Sequence, residues 1–257
     1  MDFQSLKLKL KMNFSIVIFL MAVNIFLFII TLVFSQLFGS SIALVLLGAE
    51  YLPDILAGQV WRVITASFLH AGIFHLLVNM WALYHLGGAI ETFYGQKKTI
   101  MVYVFTGISG SLLSIAFTLY QIYAGNITTG FPLSVGASGA IFGFVGLIIG
   151  NKFKKNTYSV SIDNYINTSQ LWFFLGLNIL FGFGVNFLGT GFGINNFAHI
   201  GGFLGGLILG SFLDMINTTY QSKYKSIIEN LMFFFSVIIL VLAFLAQIIY
   251  IVLSYRI

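Results

Sequence analysis

The chain is organised around residues 131–143, which read Phe-Pro-Leu-Ser-Val-Gly-Ala-Ser-Gly-Ala-Ile-Phe-Gly. An irregular stretch, 131–137, leads into an apolar helix that is predicted to begin at Ser138 and to end near residue 151. That helix has about 14 residues, fewer than the roughly 20 that a membrane span needs, so the irregular stretch must enter the membrane to meet it. Backbone without helical hydrogen bonds is tolerated at that depth only when it is buried in protein or lines a water-filled cavity. Residues 131–143 therefore indicate a functional site.

The composition is that of a membrane protein. The 257 residues are 59% hydrophobic and only 7% charged, with a mean hydropathy of +0.99, whereas soluble domains carry about 25% charged residues. The net charge of +5 would suit a nucleic-acid partner, but basic residues scattered between apolar runs are typical of topology signals, so we expect no nucleic acid. The absence of cysteine excludes disulfides and thiolate sites. The first apolar run lacks a small-residue cleavage site and is interpreted as a retained anchor.

Seven apolar segments approach the length of a membrane span. They are 14–34, 72–90, 99–121, 138–151, 170–189, 197–216 and 231–253. We therefore predict an all-α fold, a polytopic transmembrane helix bundle in a single membrane domain, 1–257. Six helices form a core over 14–216 that includes a long first loop, 35–71, and segment 231–253 adds one further C-terminal helix.

Lysine and arginine residues predict the direction in which the helices cross. With seven spans, ten lysines fall on one side of the membrane and only Arg62 and Arg256 fall on the other. The lysines are Lys7, Lys9, Lys11, Lys97, Lys98, Lys152, Lys154, Lys155, Lys223 and Lys225. Because short positive loops stay in the cytoplasm, we expect a cytoplasmic amino terminus, an outside carboxyl terminus, and a site that opens to the outer face of a bacterial plasma membrane.

Two helical stripes of glycine indicate which helices pack together. One stripe follows Ser138 and the other follows His199, and each lies on one face of its helix. The first comprises Gly139, Gly143, Gly146 and Gly150, and the second comprises Gly202, Gly206 and Gly210. Small residues at this spacing let membrane helices approach closely. Packed stripe against stripe, the two helices would bring Ser138 and His199 within hydrogen-bond reach.

A serine and a histidine at this point have the chemistry of a hydrolase. A serine hydroxyl becomes a nucleophile when an imidazole takes its proton, and a helix amino terminus offers free N–H groups to an oxyanion. Gly136 and Gly139 would let a substrate backbone come close. No carboxylate is placed to complete a triad, since Asp214 lies four turns beyond His199. We therefore predict a Ser–His dyad, and we interpret the similar Gly-x-Ser-Gly motif around Ser109 as packing because it lies in mid-span.

The second span carries a further group of polar residues. His75 and Asn79 are one turn apart on the same face, and His70 precedes them. Polar groups inside a span are costly and by default mark function. They would either donate hydrogen bonds to an oxyanion or bind a metal ion. His85 lies deeper, faces elsewhere and is interpreted as structural.

At these residues the chain resembles the rhomboid family of intramembrane serine proteases. The matching motifs run in the family's order and cover roughly residues 58–215. They are Trp61-Arg62, His70, His75-x-x-x-Asn79, Gly87-Gly88-Ala89-Ile90-Glu91, Gly136-Ala137-Ser138-Gly139, and Ala198-His199-Ile200-Gly201-Gly202-Phe203-Leu204-Gly205-Gly206.

The resemblance implies a role for each matching residue. Ser138 would be the nucleophile and His199 the general base, later the acid. His75, Asn79 and the backbone N–H of Ser138 would form the oxyanion hole. No cofactor and no metal ion would be required.

The resemblance also implies supporting roles around this pair. Phe142 would lie against the ring of His199, and Arg62 and Glu91 would help to anchor the first loop. Gly202 and Gly206 would set the approach of the two helices. Span five, 170–189, would act as a movable side gate, and residues 188–196 would cover the site.

The leading hypothesis is an endopeptidase that cleaves single-span or polytopic membrane proteins within the lipid bilayer, near the outer face. An alternative is a catalytically silent member of the family that binds membrane clients through the same scaffold. A third hypothesis is a transporter or metal-ion carrier that uses His70, His75 and His199. Each residue also has a structural alternative: Ser138 as a small packing residue, His199 as a buried histidine bonded to backbone, and His75 with Asn79 as interhelical hydrogen-bonding groups. The oligomeric state stays open.

Overall fold

The structure is a computed structural model that describes residues 15–127, 130–153, 176, 195–215 and 223–255. Within these ranges, four helices are long and apolar enough to cross a membrane, and two shorter apolar helices accompany them. The predicted fold class, an all-α membrane bundle, is confirmed. The predicted fifth span, 170–189, lies outside the described residues except for Gly176, as do residues 188–194 of the predicted cover, so the count of seven spans remains a prediction.

The elements follow one another in this order along the described chain. The helices are α1 (Ile16–Phe38), α2 (Ser40–Leu46), α3 (Leu52–Leu56), α4 (Arg62–Thr65), α5 (Ile73–Tyr94), α6 (Gln96–Tyr123), α7 (Ser138–Lys152), α8 (Asn196–Phe212) and α9 (Lys223–Tyr255), and the strands are β1 (Glu50–Tyr51) and β2 (Leu133–Ser134). A short 3-10 turn, Ala66–Phe68, continues α4, and a π-helical segment, Leu83–Gly87, lies within α5.

Several helix ends differ from the predicted bounds. The first helix continues to Phe38, beyond the predicted 34, and ends where Gly39 takes a positive φ of 82°. The sixth apolar segment ends at Phe212 rather than 216, because Leu213 is extended. The last helix begins at Lys223 rather than 231. Hydropathy marks the apolar part of a helix, and it misses the polar turns by which a helix extends beyond that part.

The two apolar helices that are shorter than a span, α7 and α8, pack against each other along their glycine stripes. A methyl group placed on Gly202 or Gly206 would lie within 3.0 Å of the backbone of Gly139 or Gly143, respectively. The predicted packing of the two stripes is therefore present. Helix α6 covers the same pair from the side, since Gly110 lies against the backbone of Ala198.

Glu91 requires a correction to its expected role. Helix α5 carries Glu91 to the end of the bundle opposite Ser138, where its carboxylate accepts hydrogen bonds from Ser15 Oγ at 2.8 Å and from the N–H groups of Ile16 and Val17, both at 3.1 Å. The first N–H groups of a helix have no acceptor within the helix. Glu91 therefore anchors the start of α1 and not the first loop.

Arg62 lies within the first loop and is fully buried. Its Nη1 donates to the carbonyl oxygens of Val45 at 2.7 Å and Ala49 at 2.9 Å, and its Nη2 forms an ion pair with Asp54 at 2.7 Å. A buried guanidinium is stable only when its donors are satisfied. Arg62 therefore joins three parts of the loop that lie before and after β1.

The first loop is also joined to the stretch that precedes Ser138. Strands β1 and β2 pair antiparallel, with Glu50 opposite Ser134 and Tyr51 opposite Leu133. In addition, the N–H of Gly136 donates to the carbonyl oxygen of Ala66 at 2.9 Å. The irregular residues before α7 are thus hydrogen-bonded to protein backbone, as residues at membrane depth must be.

Helix α9 contacts the first loop through Gln247. Its Oε1 accepts from Trp61 Nε1 at 2.7 Å, and its Nε2 donates to the carbonyl oxygen of Leu46 at 2.6 Å. At the opposite end of the bundle, Glu229 of α9 forms an ion pair with Lys98 of α6 at 3.0 Å. The C-terminal helix is therefore held to the core by polar contacts at both ends, although most of its surface is apolar and exposed.

Candidate active site

Ser138 is the first residue of α7, and the chain that leads to it is constrained. Gly136, two residues earlier, has a φ of 129°, which side-chain-bearing residues rarely adopt. Because α7 begins at Ser138, the first N–H groups of the helix have no acceptor within it. Ser138 is partly exposed as a residue. The serine thus combines access with nearby N–H donors.

His199 lies in the first turn of α8 and is buried, with 7% of its surface exposed. Its Nε2 lies 2.7 Å from Ser138 Oγ. With the imidazole proton on Nδ1, Nε2 accepts the hydroxyl hydrogen of Ser138, which is the arrangement that a general base needs. The two residues are 61 positions apart, so this contact depends on the packing of α7 against α8.

Phe142 fixes the plane of the imidazole. Its ring stacks on His199 with a centroid distance of 4.3 Å and an interplanar angle of 10°. Phe142 lies one turn after Ser138 on the same helix, so the hydroxyl and the stacked ring both come from α7. Helix α7 therefore positions its own serine and orients the histidine of its neighbour.

His75, near the start of α5, approaches the site at Gly136. A side-chain carbon placed on Gly136 would lie 2.7 Å from His75 Nε2 and 3.7 Å from Ser138 Oγ. The imidazole of His75 and the hydroxyl of Ser138 thus both lie close to the position that a side chain on Gly136 would occupy. His70 is fully buried behind His75, with the two ring centroids 5.0 Å apart in an edge-on contact.

Asn79 lies one turn further along α5 and is buried, with 3% exposed. Its Nδ2 donates to the carbonyl oxygen of His75 at 3.0 Å. The amide is therefore bonded to its own helix in this structure. The Nδ2 group carries a second hydrogen, which the bond to His75 does not use.

Two other polar residues have other partners than the Ser138–His199 pair. His85 packs against the rings of Trp81 and Tyr84, at centroid distances of 5.0 and 5.2 Å. Ser109 donates to the carbonyl oxygen of Gly201 at 2.7 Å, so its hydroxyl joins α6 to α8. Both residues have the structural surroundings that the sequence predicted for them.

Three residues beside the pair were not among the predicted site residues: Glu50, Ser114 and Asn195. Asn195 precedes α8, and its Oδ1 accepts the N–H of Ala198 at 3.0 Å. An asparagine just before a helix is a typical N-cap, so this signal was present in the sequence. Glu50 and Ser114 are distant from Asn195 in sequence, and no local pattern indicates that they meet.

The described residues offer no cluster for a metal ion. Within the described ranges, no three His, Cys, Asp or Glu side chains converge, and no carboxylate forms an ion pair with His199. Asp214 lies beyond the far end of α8, where its carbonyl oxygen accepts from Lys98 Nζ at 2.6 Å. The site combines a serine hydroxyl hydrogen-bonded to a histidine with neighbouring N–H donors, and groups of these kinds can carry out acyl transfer.

Comparison with known proteins identifies one family. The Rhomboid domain matches residues 57–216, which include every residue described at this site except Glu50. Rhomboid-like protease 3 of Toxoplasma gondii is 33% identical over 194 residues, covering 75% of this chain and 67% of that protein. Rhomboid protease GluP of Bacillus subtilis is 34% identical over 178 residues, covering 67% of this chain and 30% of that protein.

Relatives also occur in plants. RHOMBOID-like protein 1 of Arabidopsis thaliana is 33% identical over 162 residues, covering 63% of this chain and 36% of that protein. The chain therefore spans about a third of the length of that protein and of the Bacillus protease.

Proposed function

The chain belongs to the rhomboid family of integral membrane proteins, and we propose that it is an intramembrane serine endopeptidase. The observation that carries the proposal is the 2.7 Å separation of Ser138 Oγ and His199 Nε2. The stacking of Phe142 on the imidazole supports it, because a base must be held in one orientation to take a proton efficiently.

The first half of the reaction forms an acyl-enzyme. His199 Nε2 takes the hydroxyl proton of Ser138 while Oγ attacks the scissile carbonyl carbon. The carbonyl oxygen becomes an oxyanion, which the first N–H groups of α7, the side chain of His75 and the second Nδ2 hydrogen of Asn79 would stabilise. His199 then gives its proton to the leaving amine, and the peptide C–N bond breaks.

The second half restores the enzyme. Water gives a proton to His199 Nε2 and its oxygen attacks the acyl carbon, so that a second tetrahedral intermediate forms at the same place. His199 returns the proton to Ser138 Oγ as the ester bond breaks. The product is a free carboxyl group, and neither a cofactor nor a metal ion takes part.

The substrates are membrane proteins whose scissile bond lies in or near a transmembrane helix. A regular helix hides its carbonyl groups in its own hydrogen bonds, so the substrate must unwind locally, and small or helix-weakening residues at the cleavage site would favour this. The distribution of lysine and arginine over seven spans supports a cytoplasmic amino terminus. The Ser138 end of the bundle would then open toward the opposite face of the membrane.

A serine-reactive fluorophosphonate tests this proposal on the detergent-solubilised protein. Ser138 Oγ would displace fluoride from phosphorus and pass its proton to His199. We expect labelling of the wild type and of Ser109→Ala, since Ser109 serves packing, and none of Ser138→Ala. Equal labelling of wild type and Ser138→Ala would contradict the proposal, and absence of labelling in all three would favour a client-binding protein.

A further inference from the structure

The reaction described above leaves one buried carboxyl group unused. Glu50 lies in β1, in the first loop, and only 6% of its surface is exposed. Ser114 of α6 donates its hydroxyl hydrogen to Glu50 Oε1, and Ser111 of the same helix also hydrogen-bonds to the carboxyl group. A buried carboxyl group is costly unless its oxygens are hydrogen-bonded or paired with a cation, so the contacts of Glu50 require an explanation.

The hydrogen bonds of Glu50 continue through Ser114 to Asn195. The Nδ2 of Asn195 donates to Ser114 Oγ at 2.5 Å and to Ser134 Oγ at 3.0 Å. One amide group therefore joins helix α6 to strand β2.

The other half of the same amide holds the helix that carries the base. Asn195 Oδ1 accepts the N–H of Ala198 at 3.0 Å, and the Asn195 carbonyl oxygen accepts the N–H of His199 at 3.3 Å. An N-cap of this kind fixes the first turn of a helix. Here the first turn contains His199.

Glu50 is connected to the serine as well as to the histidine. Its backbone pairs with that of Ser134 in the two-stranded sheet, and Ser134 lies four residues before Ser138. The side chain of Glu50 is thus connected by hydrogen bonds to the start of α8, while its backbone pairs with the strand that precedes α7. These are the two helix ends whose relative placement sets the distance from Ser138 Oγ to His199 Nε2.

We propose that Glu50 is a positioning residue for the Ser138–His199 pair and acts through Ser114 and Asn195. The inference rests on the proposed protease function. Glu50 touches neither the substrate nor the reacting atoms. It would determine which way the amide of Asn195 points, and thereby hold His199 at the distance at which it can take the proton of Ser138.

The direction of the hydrogen bonds depends on the charge of Glu50. Ser114 has one hydroxyl hydrogen, which it donates in a hydrogen bond to the ionised Glu50. The lone pairs of Ser114 Oγ are then left to accept the N–H of Asn195. A protonated Glu50 can donate its own hydrogen to Ser114 and competes with Asn195. Hydrogen bonds to a charged acceptor are also about twice as strong as those to a neutral one.

The charge of Glu50 changes near neutral pH. Burial raises the pKa of Glu50 from 4.5 to about 7, against the lowering effect of the hydrogen bonds from Ser114 and Ser111. The side chains that face it from α6, β2 and the start of α8 are neutral: Ser111, Ser114, Ser134 and Asn195. Among the described residues, the nearby Arg62 forms its ion pair with Asp54, and no basic side chain forms an ion pair with Glu50.

The test compares fluorophosphonate labelling rates of the wild type and of Glu50→Gln from about pH 5.5 to about pH 8.5. Glutamine keeps the acceptor but has no charge. We expect the two rates to agree at the low end and the wild type to be about fivefold faster at the high end, the difference between a charged and a neutral acceptor. If the ratio of the two labelling rates stayed constant with pH, the inference would be overturned. A merely structural role of Glu50 would not change the rate as Glu50 ionises.

The matched control is Glu229→Gln. Glu229 is also a buried carboxylate, but it pairs with Lys98 at the opposite end of the bundle. We expect the ratio of its labelling rate to that of the wild type to stay constant with pH. A ratio of Glu229→Gln to wild-type labelling rates that fell with rising pH as steeply as that of Glu50→Gln would also overturn the inference, since the effect would then not be specific to Glu50.

A second measurement separates this inference from the proposed function. The unfolding free energies of Glu50→Ala, Asn195→Ala and the double variant give a coupling energy that does not depend on catalysis. Non-additive effects would support the connection from Glu50 to Asn195, and additive effects would overturn it. If the wild type shows no Ser138-dependent labelling, the proposed function fails, while this cycle still decides whether Glu50 positions the start of α8.

Discussion

Gly202 of α8 lies so close to Gly139 of α7 that a methyl group on Gly202 would fall within 3.0 Å of the Gly139 carbonyl oxygen. Gly139 follows Ser138 directly, and Gly202 comes three residues after His199. A close backbone contact between the two helices therefore lies beside Ser138 and within one turn of His199. The distance from Ser138 Oγ to His199 Nε2 is set by backbone packing as much as by the two side chains.

The first prediction concerns this packing. Gly206→Ala would place a methyl group against the carbonyl oxygen of Gly143, within 3.0 Å. Since neither backbone can move without displacing its helix, we expect a loss of about 1–3 kcal/mol in the free energy of unfolding. Unfolding in detergent measures this loss. The matched control is Gly88→Ala, because Gly88 is helical and has no neighbour within 4 Å of its added carbon; equal stability of the two variants would contradict the account.

The second prediction concerns the turn before Ser138. Gly136→Ala would force an alanine to a φ of 129° and place its methyl group 2.7 Å from His75 Nε2. A shift of about 1 Å at a reacting group can cost a hundredfold in rate, so we expect fluorophosphonate labelling to slow by about tenfold to a hundredfold. Gly125→Ala provides the control, since Gly125 has a φ of 75° with no neighbour within 4 Å. If both variants labelled at the same rate, the contact with His75 would have no part in the site.

The third prediction concerns the C-terminal helix. Gln247→Leu would leave the N–H of Trp61 and the carbonyl oxygen of Leu46 without their partner. Two lost hydrogen bonds in a buried position should lower the free energy of unfolding by about 2 kcal/mol. Gln121→Leu, on α6, removes a hydrogen bond to the exposed Asn126 and should change stability by less than about 0.5 kcal/mol. A Gln247→Leu variant as stable as Gln121→Leu would mean that α9 does not hold the first loop.

The fourth prediction concerns stability as a function of pH. Because the pKa of Glu50 is raised in the folded protein from 4.5 to about 7, the folded state binds its proton more tightly than the unfolded state. The resulting stability is present below about pH 4.5 and is lost as the pH rises to about 7, a change on the order of 3 kcal/mol. Glu50→Gln should lack this loss and unfold with less dependence on pH. Parallel stability curves for wild type and variant would contradict the burial of a titrating carboxyl group.

The spacing of glycines allowed much of the site to be predicted. Glycines repeated about once per turn on one face of a membrane helix let the backbone of a neighbouring helix approach closely. Two such stripes, each beginning beside a polar residue, predict that Ser138 and His199 lie at the same depth. The composition and the apolar runs likewise predicted the helical membrane fold.

Other contacts had no signal of this kind. The connection from Glu50 through Ser114 to Asn195 joins a loop, a mid-helix serine and a helix start that are far apart in sequence. Gln247 is a polar residue in an apolar helix, and this pattern indicates that it has a buried partner. The sequence does not identify that partner. Glu91 was assigned to the first loop by resemblance alone, and its bonds to the start of α1 join residues about 75 positions apart.

The central claim is that Ser138 cleaves membrane substrates with the help of His199. The most direct measurement is cleavage of a single-span substrate protein by purified, detergent-solubilised wild type, beside a Ser138→Ala variant of equal stability. The account predicts that the wild type cleaves and that the variant does not. Cleavage by both at the same rate would show that the activity belongs to another residue, and the account of this site would be wrong.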